Sequence, residues 1–124
     1  MNLLTFLRAD LAPLMKRRDK LALNAVRGAI SAIENAEVTY LASPATVAAP
    51  SDFVAGAVRF GNAERVVREL PDAEMIELAT AEVARRLAEA DRLRTHERVD
   101  AALTLKAEAL ALQDRLDAYA AEAT

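Results

Sequence analysis

The chain has no cysteine, no tryptophan, one histidine and three glycines, and aromatic residues fill only 4% of its 124 positions. Without cysteine there is no disulfide framework, no thiolate nucleophile and no thiolate-held metal. The lone His96 falls short of a di-iron bundle, which repeats Glu-x-x-His. Glu34/Glu37 and Glu74/Glu77 have the spacing without the histidine, and Arg92 stands three residues after Glu89. There is no glycine-rich phosphate loop and no Gly-x-Ser-x-Gly elbow, and Ser31, Ser43 and Ser51 have no Ser–Lys or Ser–His setting. Phe6, Tyr40, Phe53, Phe60 and Tyr119 are too scattered to make a stacking platform for single-stranded RNA. No apolar run approaches the roughly 20 residues that span a bilayer. The start Met1-Asn2-Leu3-Leu4-Thr5 lacks the basic, then apolar, pattern of a signal peptide. The expectation is a cytoplasmic protein with no membrane partner, metal or cofactor and no active site of its own.

Alanine, by contrast, occurs 29 times. It is the best helix former and a poor strand former, so the expected class is all-α, built of closely packed helices. The net charge of −3 argues against a generic nucleic-acid binder. The charge is unevenly spread, however. Residues 1–35 carry six basic and three acidic groups, and residues 36–84 carry three and eight. A local basic patch on an acidic protein can still steer a polyanion to one face.

The length suits a single domain. Asn2 is placed to cap a first helix with Leu4, Leu7, Leu11 and Leu14 inward, and Pro13 predicts a kink or an early end. Asp19 is placed to cap a second helix with an apolar stripe of Leu23, Val26, Ile30 and Ile33. The short link between them predicts an antiparallel pair. Periodicity then fails over residues 39–70, a long irregular connector in which Val58-Arg59-Phe60 and Arg65-Val66-Val67 suggest a small hairpin. Pro71 opens a third helix with Ile76, Ala79, Val83, Leu87, Ala90 and Leu93 inward. A fourth carries Leu105, Ala109, Leu112, Leu116 and Tyr119. A break is expected near Thr95–Arg98, with Thr95 as cap; one continuous helix is the alternative. The result is a four-helix domain of antiparallel helix pairs.

The chemistry-bearing stretch runs from Met15 to Glu37. Lys20, Asn24, Arg27, Ser31 and Glu34/Asn35 recur at four, three, four and three residues, so they form one polar stripe opposite the apolar one. Lys16, Arg17 and Arg18 stand at its N-terminal entrance, where free N–H groups and the helix dipole attract anions. Phosphates could meet the cations there, with Asn24, Ser31 and Asn35 supplying hydrogen bonds. The plainer reading is a solvated helix face on which Arg27 pairs with a carboxylate. A second cluster, Arg85, Arg86, Arg92, Arg94, His96 and Arg98, reads as an exposed helix laced with ion pairs such as Glu82–Arg86.

The run Leu7-x-x-Asp10-Leu11…Met15-Lys16-x-x-Asp19-Lys20-Leu21…Val26-Arg27…Ser31-Ala32-Ile33-x-Asn35-Ala36-Glu37 resembles the YqeY-like family (GatB/YqeY), a domain also found at the C-terminus of the B subunit of the tRNA-dependent amidotransferase. Arg98-x-Asp100, Ala107-Glu108 and Leu112 give a second, weaker match. The connector is not covered. Three departures stand out. Glu97 occupies a position where the family usually has glycine, Pro13 interrupts the first helix, and Arg115-Leu116-Asp117 replaces the Tyr-Leu-Pro junction to a tail subdomain expected to be absent here. The resemblance implies an all-helical, noncatalytic accessory module whose partner is tRNA, an amidotransferase or another tRNA-processing protein. The rival expectation is a protein-interaction or homo-oligomerisation module, resting on the Val/Ala-rich connector and the alanine-rich helix faces. A small-molecule enzyme using His96 or Glu34/Glu37 ranks last.

Overall fold

The computed structural model describes residues 1–41 and 70–123, and the structural statements below concern these. They form four helices: α1 (Leu3–Lys16), α2 (Lys20–Leu41), α3 (Asp72–Thr95) and α4 (Val99–Ala123). The all-α class expected from composition is what the chain adopts. The predicted hairpin lies outside the described residues. Residues 39–41, expected to begin the connector, continue α2.

Asn2 caps α1, its Oδ1 accepting the Thr5 N–H at 2.9 Å. Pro13 does not end the helix, which runs on to Lys16. The hydrogen bond lost at the Ala9 carbonyl falls where both Ala9 and Pro13 are exposed, so water can replace it. Asp19 caps α2 through its Oδ1, which accepts the Ala22 N–H at 3.2 Å.

Two short turns of one design fold the chain into hairpins. In the first, the Asp19 N–H donates to the Leu14 carbonyl at 3.0 Å and the Arg18 N–H to the Met15 carbonyl at 3.1 Å. In the second, the Arg98 N–H donates to Leu93 at 2.8 Å and the Glu97 N–H to Arg94 at 3.0 Å. Each is a Schellman ending, whose C′ residue must be left-handed and is usually glycine. Here Arg18 (φ 55°) and Glu97 (φ 61°) take that place. The break after α3 is therefore real, but Thr95 does not cap α4. Its hydroxyl donates back to the Asp91 carbonyl at 2.9 Å.

The Leu3 N–H donates to Asp72 Oδ1 at 2.7 Å, which sets the starts of α1 and α3 side by side. Asp72 Oδ2 accepts the Tyr119 hydroxyl at 2.6 Å, which brings the end of α4 to the same place. The helices thus alternate in direction, and both turns lie at the opposite end. Because α3 has 24 residues and α1 has 14, the α3–α4 turn projects past the α1–α2 turn by about 15 Å.

The core includes Leu3, Leu7, Val26, Ile33, Met75 and Leu112, all fully buried. Each such side chain contributes roughly 1.5–3 kcal/mol of burial. In α3 the inward line differs from the predicted one. Ala79, Val83 and Ala90 are buried, but Ile76 and Leu87 are 38% and 37% exposed, and Met75 and Arg86 take the inward places. Leu105 is half-buried, whereas Ala109, Leu112, Leu116 and Tyr119 are buried as the α4 pattern predicts.

Candidate nucleic-acid interface

The α1–α2 turn gathers the basic residues that the sequence singles out. Lys16 ends α1, Arg17 and Arg18 form the turn, and Lys20 begins α2. Asn24, Arg27 and Ser31 follow along α2, and all seven side chains are exposed. Arg27 reaches back to the end of α1, its Nη2 lying 4.0 Å from Met15 Sδ, which brings its charge toward the turn. At this corner the free N–H groups of α2 are not all available to a ligand. Asp19 already holds that of Ala22, so the cationic side chains must supply the attraction.

Among the described residues this corner gathers five unpaired cations, whereas of the lysines and arginines elsewhere only Arg98 and Lys106 are without an ion pair. Arg8 pairs with Glu34 at 2.6 Å, Arg85 with Glu82 at 2.9 Å, Arg94 with Asp91 at 3.5 Å, and Arg92 with Glu89. Arg115 grips Asp10 with both donors, at 2.8 and 2.9 Å, and lies over the Phe6 ring. By contrast, Lys16, Arg17, Arg18, Lys20 and Arg27 form no ion pair among the described residues. The expectation that Arg27 pairs with a carboxylate is not met there.

The stripe changes character farther along α2. Glu34 is taken up by Arg8, and Asn35, though exposed, borders a groove whose other wall carries Glu74 and Glu77. Carboxylates there disfavour phosphate, so Asn35 does not belong with the cations. Glu37 is buried at the same end of α2.

Other residues of the matched motif have structural duties. Asp19 is a helix cap, Asp10 anchors α4 through Arg115, and Glu108 is buried against Arg86. Arg98 and Asp100 sit exposed at the far turn, beyond the basic corner, where His96 also lies.

The Glu82–Arg86 spacing predicts an exposed Arg86, and the structure buries it. Only 7% exposed, it donates from Nη1 to Glu82 at 2.6 Å and from Nε to Glu108 at 3.3 Å. Its Nη2 rests against Gly28 of α2. A Cβ there would overlap that nitrogen and stand 3.3 Å from Cζ. The sequence carries the signal in a glycine inside a strongly helical segment and in an arginine at a phase that the Ala79–Val83–Ala90 line makes inward.

Among the described residues, no group of histidine, aspartate and glutamate is placed to hold a metal ion, and no helix is long and apolar enough to cross a membrane. The clefts are shallow, and the one lined by Leu87, Ala90, Val99 and Ala102 encloses about 290 Å³. No family model, curated protein or solved structure matches the chain.

Proposed function

We propose that this chain is a noncatalytic helical module that binds RNA through its α1–α2 corner. Lys16, Arg17, Arg18, Lys20 and Arg27 meet phosphates there, and Asn24 and Ser31 offer hydrogen bonds along the same face. The observation that carries this reading is the asymmetry of pairing: the other helices match most of their arginines to carboxylates, while among the described residues the five cations of this corner have no carboxylate partner. On a protein of net charge −3, such a corner is a local positive field on an otherwise repulsive surface. The motif resemblance makes tRNA the first RNA to test and a tRNA-dependent amidotransferase the assembly in which such a module would serve.

Titration of unfractionated tRNA at two salt concentrations tests the reading. With about five phosphates engaged, affinity should fall by roughly 10²–10³ between about 50 and 200 mM salt. Lys20→Ala and Arg27→Ala should each weaken binding and together flatten the salt slope by about 2. Absence of binding at low salt, or binding indifferent to both substitutions, refutes the proposal.

A further inference from the structure

The outer side of the α3–α4 hairpin, facing away from α1 and α2, carries apolar side chains that the fold leaves uncovered. Val99, Leu103 and Leu110 of α4 are 52%, 60% and 52% exposed, and Leu87 of α3 is 37% exposed. Val99, Leu103 and Leu87 rim a cleft of about 290 Å³. Single exposed leucines are ordinary, but several on one face mark a contact surface.

The charges beside them identify the occupant. Positions 99, 103, 106, 110, 114 and 117 follow one another at four, three, four, four and three residues, so they share one stripe of α4. Lys106 lies in its N-terminal half, with Arg98 just before the helix, and Asp114 and Asp117 follow Leu110. Among the described residues Lys106 and Arg98 form no ion pair with a carboxylate and Asp114 none with a cation. Asp117 accepts the Gln113 amide, at 2.9 Å, and has no cation partner among the described residues. A stripe whose cations lie in its N-terminal half, among the apolar side chains, and whose carboxylates lie at its C-terminal end is complementary to itself run backwards.

We propose that this face joins two copies of the chain, with α4 packed antiparallel against the second copy's α4 about a two-fold axis. In that arrangement Leu103 and Leu110 interlock near the axis, each Lys106 reaches the other copy's Asp114, and Arg98 faces the acidic end beyond it. A parallel pairing would instead set Lys106 on Lys106 and Asp114 on Asp114. The contact is isologous, so every interaction occurs twice. The charged residues within the stripe suit a reversible dimer, since obligate interfaces are more hydrophobic. This inference does not rest on RNA binding, because the basic corner belongs to the other hairpin.

Sedimentation equilibrium of the full chain, from about 1 μM to about 1 mM, reads the association over the affinity range expected of a weak dimer. The expected result is a reversible monomer–dimer equilibrium. Leu103→Asp should leave only monomer, with unchanged helicity by circular dichroism because the side chain lies outside the core. Lys106→Glu or Asp114→Lys should each weaken the dimer about tenfold, since each turns two symmetry-related attractions into repulsions. The combined Lys106→Glu/Asp114→Lys variant should return to within a few-fold of the parent. Monomer at every concentration, a dimer indifferent to Leu103→Asp, or a charge swap weaker than either single change overturns the proposal.

Discussion

Arg18 and Glu97 hold equivalent places in the two turns, at φ 55° and 61°, and replacing each with glycine should have the same effect on stability, whereas only the Arg18 change should weaken binding. The left-handed conformation costs a residue with a Cβ roughly 1–2 kcal/mol. Glycine removes that strain but gives back about 0.5–1 kcal/mol through the greater freedom of its unfolded chain. The expected net gain is about 0.5–1 kcal/mol per site. Both side chains are exposed and neither forms an ion pair or side-chain hydrogen bond among the described residues, so truncation forfeits nothing else. The two turns share no partner, so the gains should add.

In a domain of this size each substitution should raise the melting temperature by about 2–5 °C, and urea denaturation should move in the same direction. Binding separates the pair. Arg18→Gly removes one of the proposed phosphate contacts, and its tRNA affinity should fall with a salt slope shallower by about 1. Glu97→Gly touches no proposed contact and should bind as the parent does. A lower melting temperature in either variant refutes the account of the turns. Unchanged low-salt affinity in Arg18→Gly removes Arg18 from the interface.

Two further outcomes concern the buried polar groups. Arg86→Ala leaves Glu108 buried without its cation and should cost about 3 kcal/mol in urea denaturation. Gly28→Ala should cost about 1 kcal/mol in the parent, because the new methyl displaces the pinned guanidinium, yet stabilise by about 1 kcal/mol once Arg86 is alanine and only helix propensity remains. A Gly28→Ala effect of the same sign in both backgrounds refutes that packing. The hydrogen bond to Asp72, and then burial, push the Tyr119 hydroxyl from 10.0 up to about 12. A pKa raised by folding means that the stability it contributes is fully present below about pH 10 and is lost as pH climbs toward 12. Tyr119→Phe should cost about 1–2 kcal/mol at neutral pH and abolish that share of the alkaline loss, measured as the urea midpoint against pH.

The helices were legible because their signals are local. Asn2 and Asp19 announce their caps by residue type, and the α2 stripe of Val26, Ile30 and Ile33 by its period. Where tertiary partners decide, the sequence misleads. Glu82–Arg86 has the spacing of a surface pair, and only the presence of Glu108 and the bare backbone of Gly28 across the helix interface turns Arg86 inward. That turn rotates the buried line of α3 and leaves Ile76 and Leu87 half out in solvent. Thr95 likewise looks like a cap, but the Schellman turn places its hydroxyl one turn back on Asp91, and the break is made by Glu97 instead.

The same distinction bears on the site. A charged residue within a motif can mark a fold as readily as a ligand, and here Asp10, Asp19 and Glu108 are each explained by an internal bond. None of the three belongs to the candidate interface. The fold engages Arg86 and Arg115, long side chains that carry their charge inward, and it engages them with partners from other helices. It gives Lys16, Arg17, Arg18, Lys20 and Arg27 no such partner among the described residues, and it holds Arg18 in a conformation that glycine would adopt more cheaply. Stability alone would favour glycine at that turn, so a cation kept there against backbone strain is the residue whose removal best separates a folding duty from a binding one.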